Sequence, residues 1–263
     1  MSDDNQHEGS RFQASPTGPR VAPPRGLGSV PPPPQPRHAA RFRPSFLSVI
    51  VFVLLISGVG IRAYRDLSQP EAWAYWKDQY FSPSLTSSVI PKTDLGGRPA
   101  LAVRGPIGPA AATWFREHVD EAHLVAGDAV LLSSPGGDLG QAVIMGEFIR
   151  SRGLVTAVGI ADASGRIQPS YCASACVFVY AGGKSRYGVQ GSGLGVHRFV
   201  ATKLAGDPVA EAQRVTGAVL SYMTRMGVSP SIVEAMSQTS DIRWLGPRET
   251  TAMNLVTAPS RAP

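Results

Sequence analysis

The sequence predicts an α/β domain built on a largely parallel sheet, set behind a proline-rich tail and one membrane-spanning helix. Three observations carry that expectation. From residue 97 onward, short apolar runs fit for buried strands alternate with helical spacings. Residues 45–61 contain no charged side chain. The 23 prolines and 28 glycines are unevenly spread, so order is expected to be uneven too.

The tail, residues 1–44, holds Pro16, Pro19, Pro23, Pro24, the proline run 31–34, Pro36 and Pro44, with few large apolar side chains. Such a segment buries too little surface to offset chain entropy, and it is expected to be disordered. Much of the net charge of +6 comes from Arg11, Arg20, Arg25, Arg37, Arg41 and Arg43. No aromatic-interleaved basic stripe and no zinc or helix-turn-helix spacing accompanies these arginines. The charge therefore reads as an orientation signal, and nucleic acid is not an expected partner.

The uncharged run has isolated Ser and Gly but no polar face, unlike a core helix. A cleavable leader would lie nearer the start and carry a small-residue site behind it. Residues 45–62 are therefore read as a single anchor in a lipid bilayer. Arginines concentrated before the run place the tail in the cytoplasm and the C-terminal domain outside it, in the periplasm if the cell is Gram-negative. Trp73, Tyr75, Trp76, Tyr80 and Phe81 follow within 63–96 and suit an interfacial belt or juxtamembrane helix. Pro83, Pro91, Gly96 and Gly97 then turn this segment into a linker.

The folded domain is expected over 97–257, a size that ordinary domains share. Its strands are read at 100–103, 129–132, 154–158 and 193–198. Helices are read at 109–125, 139–151, 173–181 and 208–226. Asp138 is the N-cap of the second helix, and Gly153 and Gly227 are stops. Residues 258–263 are expected to be disordered.

Three features stand in a meaningful order. Ser133-Ser134-Pro135-Gly136-Gly137-Asp138 follows a buried strand and precedes a helix. Consecutive glycines let a backbone turn sharply and present bare N–H groups. Tyr171-Cys172-Ala173-Ser174-Ala175-Cys176 then sets one serine among small residues at a helix entrance, where free N–H groups favour a developing oxyanion. Gly195-Val196-His197 ends a strand on an imidazole. Taken singly, these read as an ordinary turn, a small-residue contact and a structural histidine.

Together, residues 134–199 resemble the proteolytic subunit of the Clp protease and its extracytoplasmic relatives. Their pattern runs strand, Ser-Pro-Gly-Gly, helix, strand, small-Ser-small, helix, Ala-Gly with a basic loop, strand, His. Here the Ala-Gly pair is Ala181-Gly182, and the loop is Gly183-Lys184-Ser185-Arg186. The similarity extends through 227–249 and covers most of 100–256. It implies a Clp-protease/crotonase-type (ββα repeat) domain. It implies Ser174 as nucleophile, His197 as its general base, and the backbone N–H groups of Gly137 and Ala175 as the oxyanion hole. Gly136 would belong to the substrate loop. For the third catalytic group the resemblance favours Asp241 over Asp207 or Glu234, with one residue more spacing than the family shows. A neutral partner or a backbone carbonyl on His197 is the alternative. The chain departs from the pattern in the insertion 161–169 and in lacking a glycine just before Ser174.

The resemblance implies hydrolysis of a peptide or protein substrate without a cofactor, and a homo-oligomer built through helix 208–226. The same fold also serves non-catalytic peptide-binding or assembly modules. It serves acyl-CoA enzymes as well, which use carboxylates near the oxyanion hole; none stands at the matching positions here. Cys172 and Cys176 are the only cysteines. On a regular helix their Cβ atoms would lie about 5–6 Å apart, whereas a disulfide wants about 3.5–4.5 Å. A bridge therefore requires Cys172 to precede the helix; the alternative is two buried thiols. No nearby ligands complete a metal site.

Overall fold

The computed structural model of the chain describes residues 45–162, 164–199 and 207–261. The proline-rich tail and the last two residues lie outside them. The first element, α1 (Phe46–Leu67), has 22 residues and buries none of them. Its most apolar window has mean hydropathy 2.3, and among the described residues it is the one helix long and apolar enough to cross a membrane. It continues past position 62, carrying Arg62, Arg65 and Asp66 on its last turns.

The domain itself begins earlier than residue 97. Helix α2 (Pro70–Trp76) starts on a proline, which suits a first helical position, and runs into a π-helical turn, Lys77–Phe81. Strand β1 (Thr86–Ile90) then pairs antiparallel with β2 (Ala100–Arg104). The segment read as a linker thus supplies the edge strand. Its sequence, TSSVI, is mostly exposed and lacks the apolar alternation that marks a strand.

Chain order continues through α3 (Ala111–Glu121), β3 (Ala129–Ser133), α4 (Leu139–Ser151) and β4 (Val155–Val158). A small hairpin, β5 (Ile160–Ala161) and β6 (Ile167–Gln168), occupies the insertion. Then come β7 (Tyr171–Ala173), α5 (Cys176–Ala181), β8 (Arg186–Val189), β9 (Gly193–Val196), α6 (Pro208–Arg225), α7 (Ser231–Ser237), β10 (Arg243–Leu245), α8 (Pro247–Ala252) and β11 (Ala258–Arg261). The main sheet has the order β1-β2-β3-β4-β8-β11, parallel except at β1. A second sheet, β10-β9-β7, carries the candidate site.

β3 is buried along its whole length. Alternation sends Val130 and Leu132 into the core cluster with Phe115, Met145 and Phe178 of α3, α4 and α5. Ala129 and Leu131 enter the opposite cluster with Leu95, Ala157 and Ile167. Burial on both faces is why AVLLS reads as one continuous apolar run. Each large side chain in this core stabilises the fold by about 1.5–3 kcal/mol.

Three sequence expectations change. The predicted helix 173–181 divides: Cys172 and Ala173 are strand, Ser174 and Ala175 form a turn, and the helix starts at Cys176. Residues 258–261 pair with β8. Arg186, read as part of a basic loop, is 2% exposed. Its guanidinium donates to the carbonyls of Leu255, Met226, Asn254, Ala181 and Gly183. One cation thereby caps the C-terminal ends of α5 and α6 and the chain beyond α8, where helix dipoles favour positive charge. Burial pulls its pKa down to about 10, which still leaves it charged at neutral pH.

Candidate active site

The register of the second sheet assembles the site. β7 runs parallel to β9, with Tyr171 opposite Gly193, Cys172 opposite Leu194 and Ala173 opposite Gly195. One residue further on, the Ser174 N–H donates to the Gly195 carbonyl at 2.8 Å. Two residues past Gly195 stands His197. Its Nε2 lies 2.7 Å from Ser174 Oγ. A serine and a histidine 23 positions apart thus meet because two adjacent strands end together.

Ser174 has φ +55, left-handed backbone that is uncommon for a side-chain-bearing residue. Such positions cost about 1–3 kcal/mol and persist where their surroundings impose them. Two constraints act here. The N–H bond to Gly195 fixes one side, and Cys172 is joined to Cys176 by a disulfide with a Cα–Cα distance of 5.3 Å. Because Cys172 lies in the strand rather than in the helix, the geometry that forbids an i,i+4 bridge on a regular helix does not apply.

The glycine turn closes over Ser174. Gly136 has φ +96, and a Cβ there would lie 2.6 Å from the Ala173 carbonyl oxygen and 2.7 Å from Ser174 Cβ. Ile107 clamps the turn: its N–H donates to the Gly136 carbonyl and its own carbonyl accepts from Asp138, each at 2.8 Å. The intervening Gly137 N–H, like that of Ala175, donates to no acceptor among the described residues. Asp138 caps α4 by accepting from the Gln141 N–H at 2.9 Å, as its position in the sequence suggests.

Ser174, His197, Gly137 and Ala175 all line one cavity of about 880 Å³, walled by apolar residues such as Phe199 and Met236. These four residues therefore border the same space. This arrangement can deprotonate the hydroxyl, accept its attack on a carbonyl and stabilise the resulting oxyanion.

Asp241 is placed elsewhere. His197 Nδ1 lies 2.7 Å from the Arg198 carbonyl, which accepts its proton. β10 pairs with β9 so that Arg243 faces Val196 and Trp244 faces Gly195. That register stops at Arg243: beyond it the Arg198 N–H donates to the Thr239 carbonyl at 2.8 Å. In the turn before β10 the Asp241 N–H donates to Thr239 Oγ1 at 3.1 Å. Ile242 Cγ2 packs over Gly195 on the imidazole's side, and Asp241 is exposed. Asp207 is likewise engaged elsewhere, capping α6 through the Val209 and Ala210 N–H groups. The Arg198 carbonyl and the Ile107 clamp had no sequence signal, since both act through backbone.

No family model and no curated protein matches the chain. Among solved structures, it is similar to a ClpP1 mutant from Listeria monocytogenes, at 15% identity and TM-score 0.47, covering 62% of this chain and 91% of that one. It is also similar to a mutant of the 1510-N membrane-bound stomatin-specific protease, at 15% identity and TM-score 0.45, covering 62% and 78%.

Proposed function

We propose that this protein is a membrane-anchored serine peptidase that hydrolyses peptides outside the cytoplasm, with Ser174 as nucleophile and His197 as general base. The observation that carries the reading is the 2.7 Å contact between His197 Nε2 and Ser174 Oγ at the wall of a peptide-sized cavity. His197 takes the hydroxyl proton as Oγ attacks the scissile carbonyl. The N–H groups of Gly137 and Ala175 receive the oxyanion, and the imidazolium then protonates the leaving amine. Water, deprotonated by the same imidazole, releases the acyl group and restores Ser174. The Arg198 carbonyl holds the tautomer in which Nε2 is the base.

A fluorophosphonate probe tests this directly. Ser174 is expected to be the labelled residue, and Ser174→Ala to lose both label and peptide turnover. Labelling retained at another residue would remove Ser174 from the role. A binding module of the same shape is the second reading, and one observation favours it: a neutral carbonyl stabilises an imidazolium less than a carboxylate does. Peptide binding without labelling would select that reading.

A further inference from the structure

The segment between α1 and the edge strand has two unlike faces. One is bonded to the domain. Tyr75 OH lies 3.3 Å from Thr113 Oγ1, and Gln79 Nε2 donates to Glu117 at 3.2 Å. Asp78, 8% exposed, accepts from the Ser84 N–H at 2.8 Å and from the Ala110 N–H at 2.9 Å. The other face presents Trp73, Trp76, Tyr80 and Phe81 at 60, 41, 65 and 73% exposure. Spaced three, four and one residues apart, these rings form a single surface. Trp76 stacks on Tyr80 at 5.3 Å, and Trp73 meets Phe81 at 6.3 Å. Four large rings held against water by a rigid attachment are unusual unless something covers them.

Chain connectivity says what does. Only Ser68 and Gln69 separate the end of α1 from Pro70. Three peptide links span roughly 10 Å at most. The charged end of α1, with Arg62, Arg65 and Asp66, marks where the apolar run gives way to headgroups. The rings therefore begin within headgroup depth, the layer where amphipathic Trp and Tyr side chains concentrate. Lys77, exposed between Trp76 and Tyr80, can keep its ammonium at phosphate level.

We propose that α2 and the turn after it form a foot that lies on the bilayer, with Trp73, Trp76, Tyr80 and Phe81 inserted among phospholipid headgroups. The foot is joined to the candidate site. Asp78 holds Ala110, and Gly108 packs so closely that a Cβ there would lie 2.4 Å from Asp78 Oδ2. This loop carries Ile107 and Pro109, which line the cavity, and Ile107 clamps the glycine turn. Docking thus sets the wall of the cavity at a fixed position over the membrane surface. The inference depends on the membrane anchor and not on catalysis.

The test uses the full chain in phospholipid nanodiscs, with and without lipids brominated near the glycerol end of their acyl chains. Bromine quenches tryptophan at short range. Brominated lipid is expected to quench a large part of the emission, and Trp73→Phe with Trp76→Phe to lose most of that quenching. Trp114, which is buried, and Trp244, which packs on Tyr171, report the remainder. Equal quenching in the parent and the double variant would overturn the proposal. So would no quenching in either, including the case where the emission changes on dilution because a second copy covers the face. Serine labelling measured on the same samples stays separate, since these rings touch no reacting group.

Discussion

Two turns meet at the site, 134–137 and 173–176, and they reach their sharp bends differently. The first uses Gly136 and Gly137 at φ +96 and +144, where the absence of a Cβ makes the conformation accessible. The second needs a side chain at its apex and so cannot use glycine. Ser174 sits at φ +55 between two cysteines that are bonded to each other. Closing so short a loop constrains the unfolded chain by about 2 kcal/mol, comparable to the roughly 1–3 kcal/mol that a left-handed serine costs. A turn that only presents backbone can be relaxed by composition. A turn that presents a side chain has to be held by its surroundings.

This contrast can be broken from either side. Ser174→Ala is expected to lower peptide turnover by at least about a thousandfold while leaving thermal stability near that of the parent, because the hydroxyl is only half-buried. Steady-state kinetics together with a melting curve check both halves. Gly136→Ala comes next. Its Cβ would collide with Ala173 and Ser174, and a displacement of about 1 Å costs on the order of a hundredfold in rate. The fall should appear in kcat, with the melting temperature reduced as well.

Removing the cross-link should have a smaller effect. Cys172→Ala with Cys176→Ala, or treatment with a thiol reductant, is expected to lower kcat about tenfold, as Ser174 samples relaxed backbone. Full activity in the reduced protein would show that the N–H bond to Gly195 suffices alone. The smallest change is expected for Asp241→Asn, within about twofold of the parent, because an exposed side chain away from the imidazole is being altered. A loss as large as that of Ser174→Ala would restore Asp241 as the group on His197. Away from the site, Arg186→Met takes a donor from five carbonyls, of which those of Ala181 and Met226 keep Arg150. It should destabilise the fold by about 3–5 kcal/mol in a denaturant titration.

The elements most legible in the sequence were those whose own residues enforce them. AVLLS could only be a strand buried on both faces, and Asp138 ahead of LGQAVIMGEFIRS could cap only one helix. β1 was illegible because an edge strand with exposed serines carries no apolar period. Reading 173–181 as one helix failed because its small residues suit a strand end and a helix start equally well. Asp241 failed for a different reason. Its spacing was noticed, but the residue lies in the turn before β10, where the Arg198 N–H bonds Thr239 and the pairing of β10 with β9 has ended.

By itself, the amino-acid order determined the apolar helix and the alternation of strands and helices, because periodicity is a local property; the grouping of one serine, one histidine and two glycines rested on a resemblance. Tertiary structure alone decided that a carbonyl rather than a carboxylate orients His197, that the cysteines are joined, and that Asp78 ties the foot to the cavity. Each of these depends on which strand ends beside which, and strand pairing is a long-range outcome that no local spacing encodes.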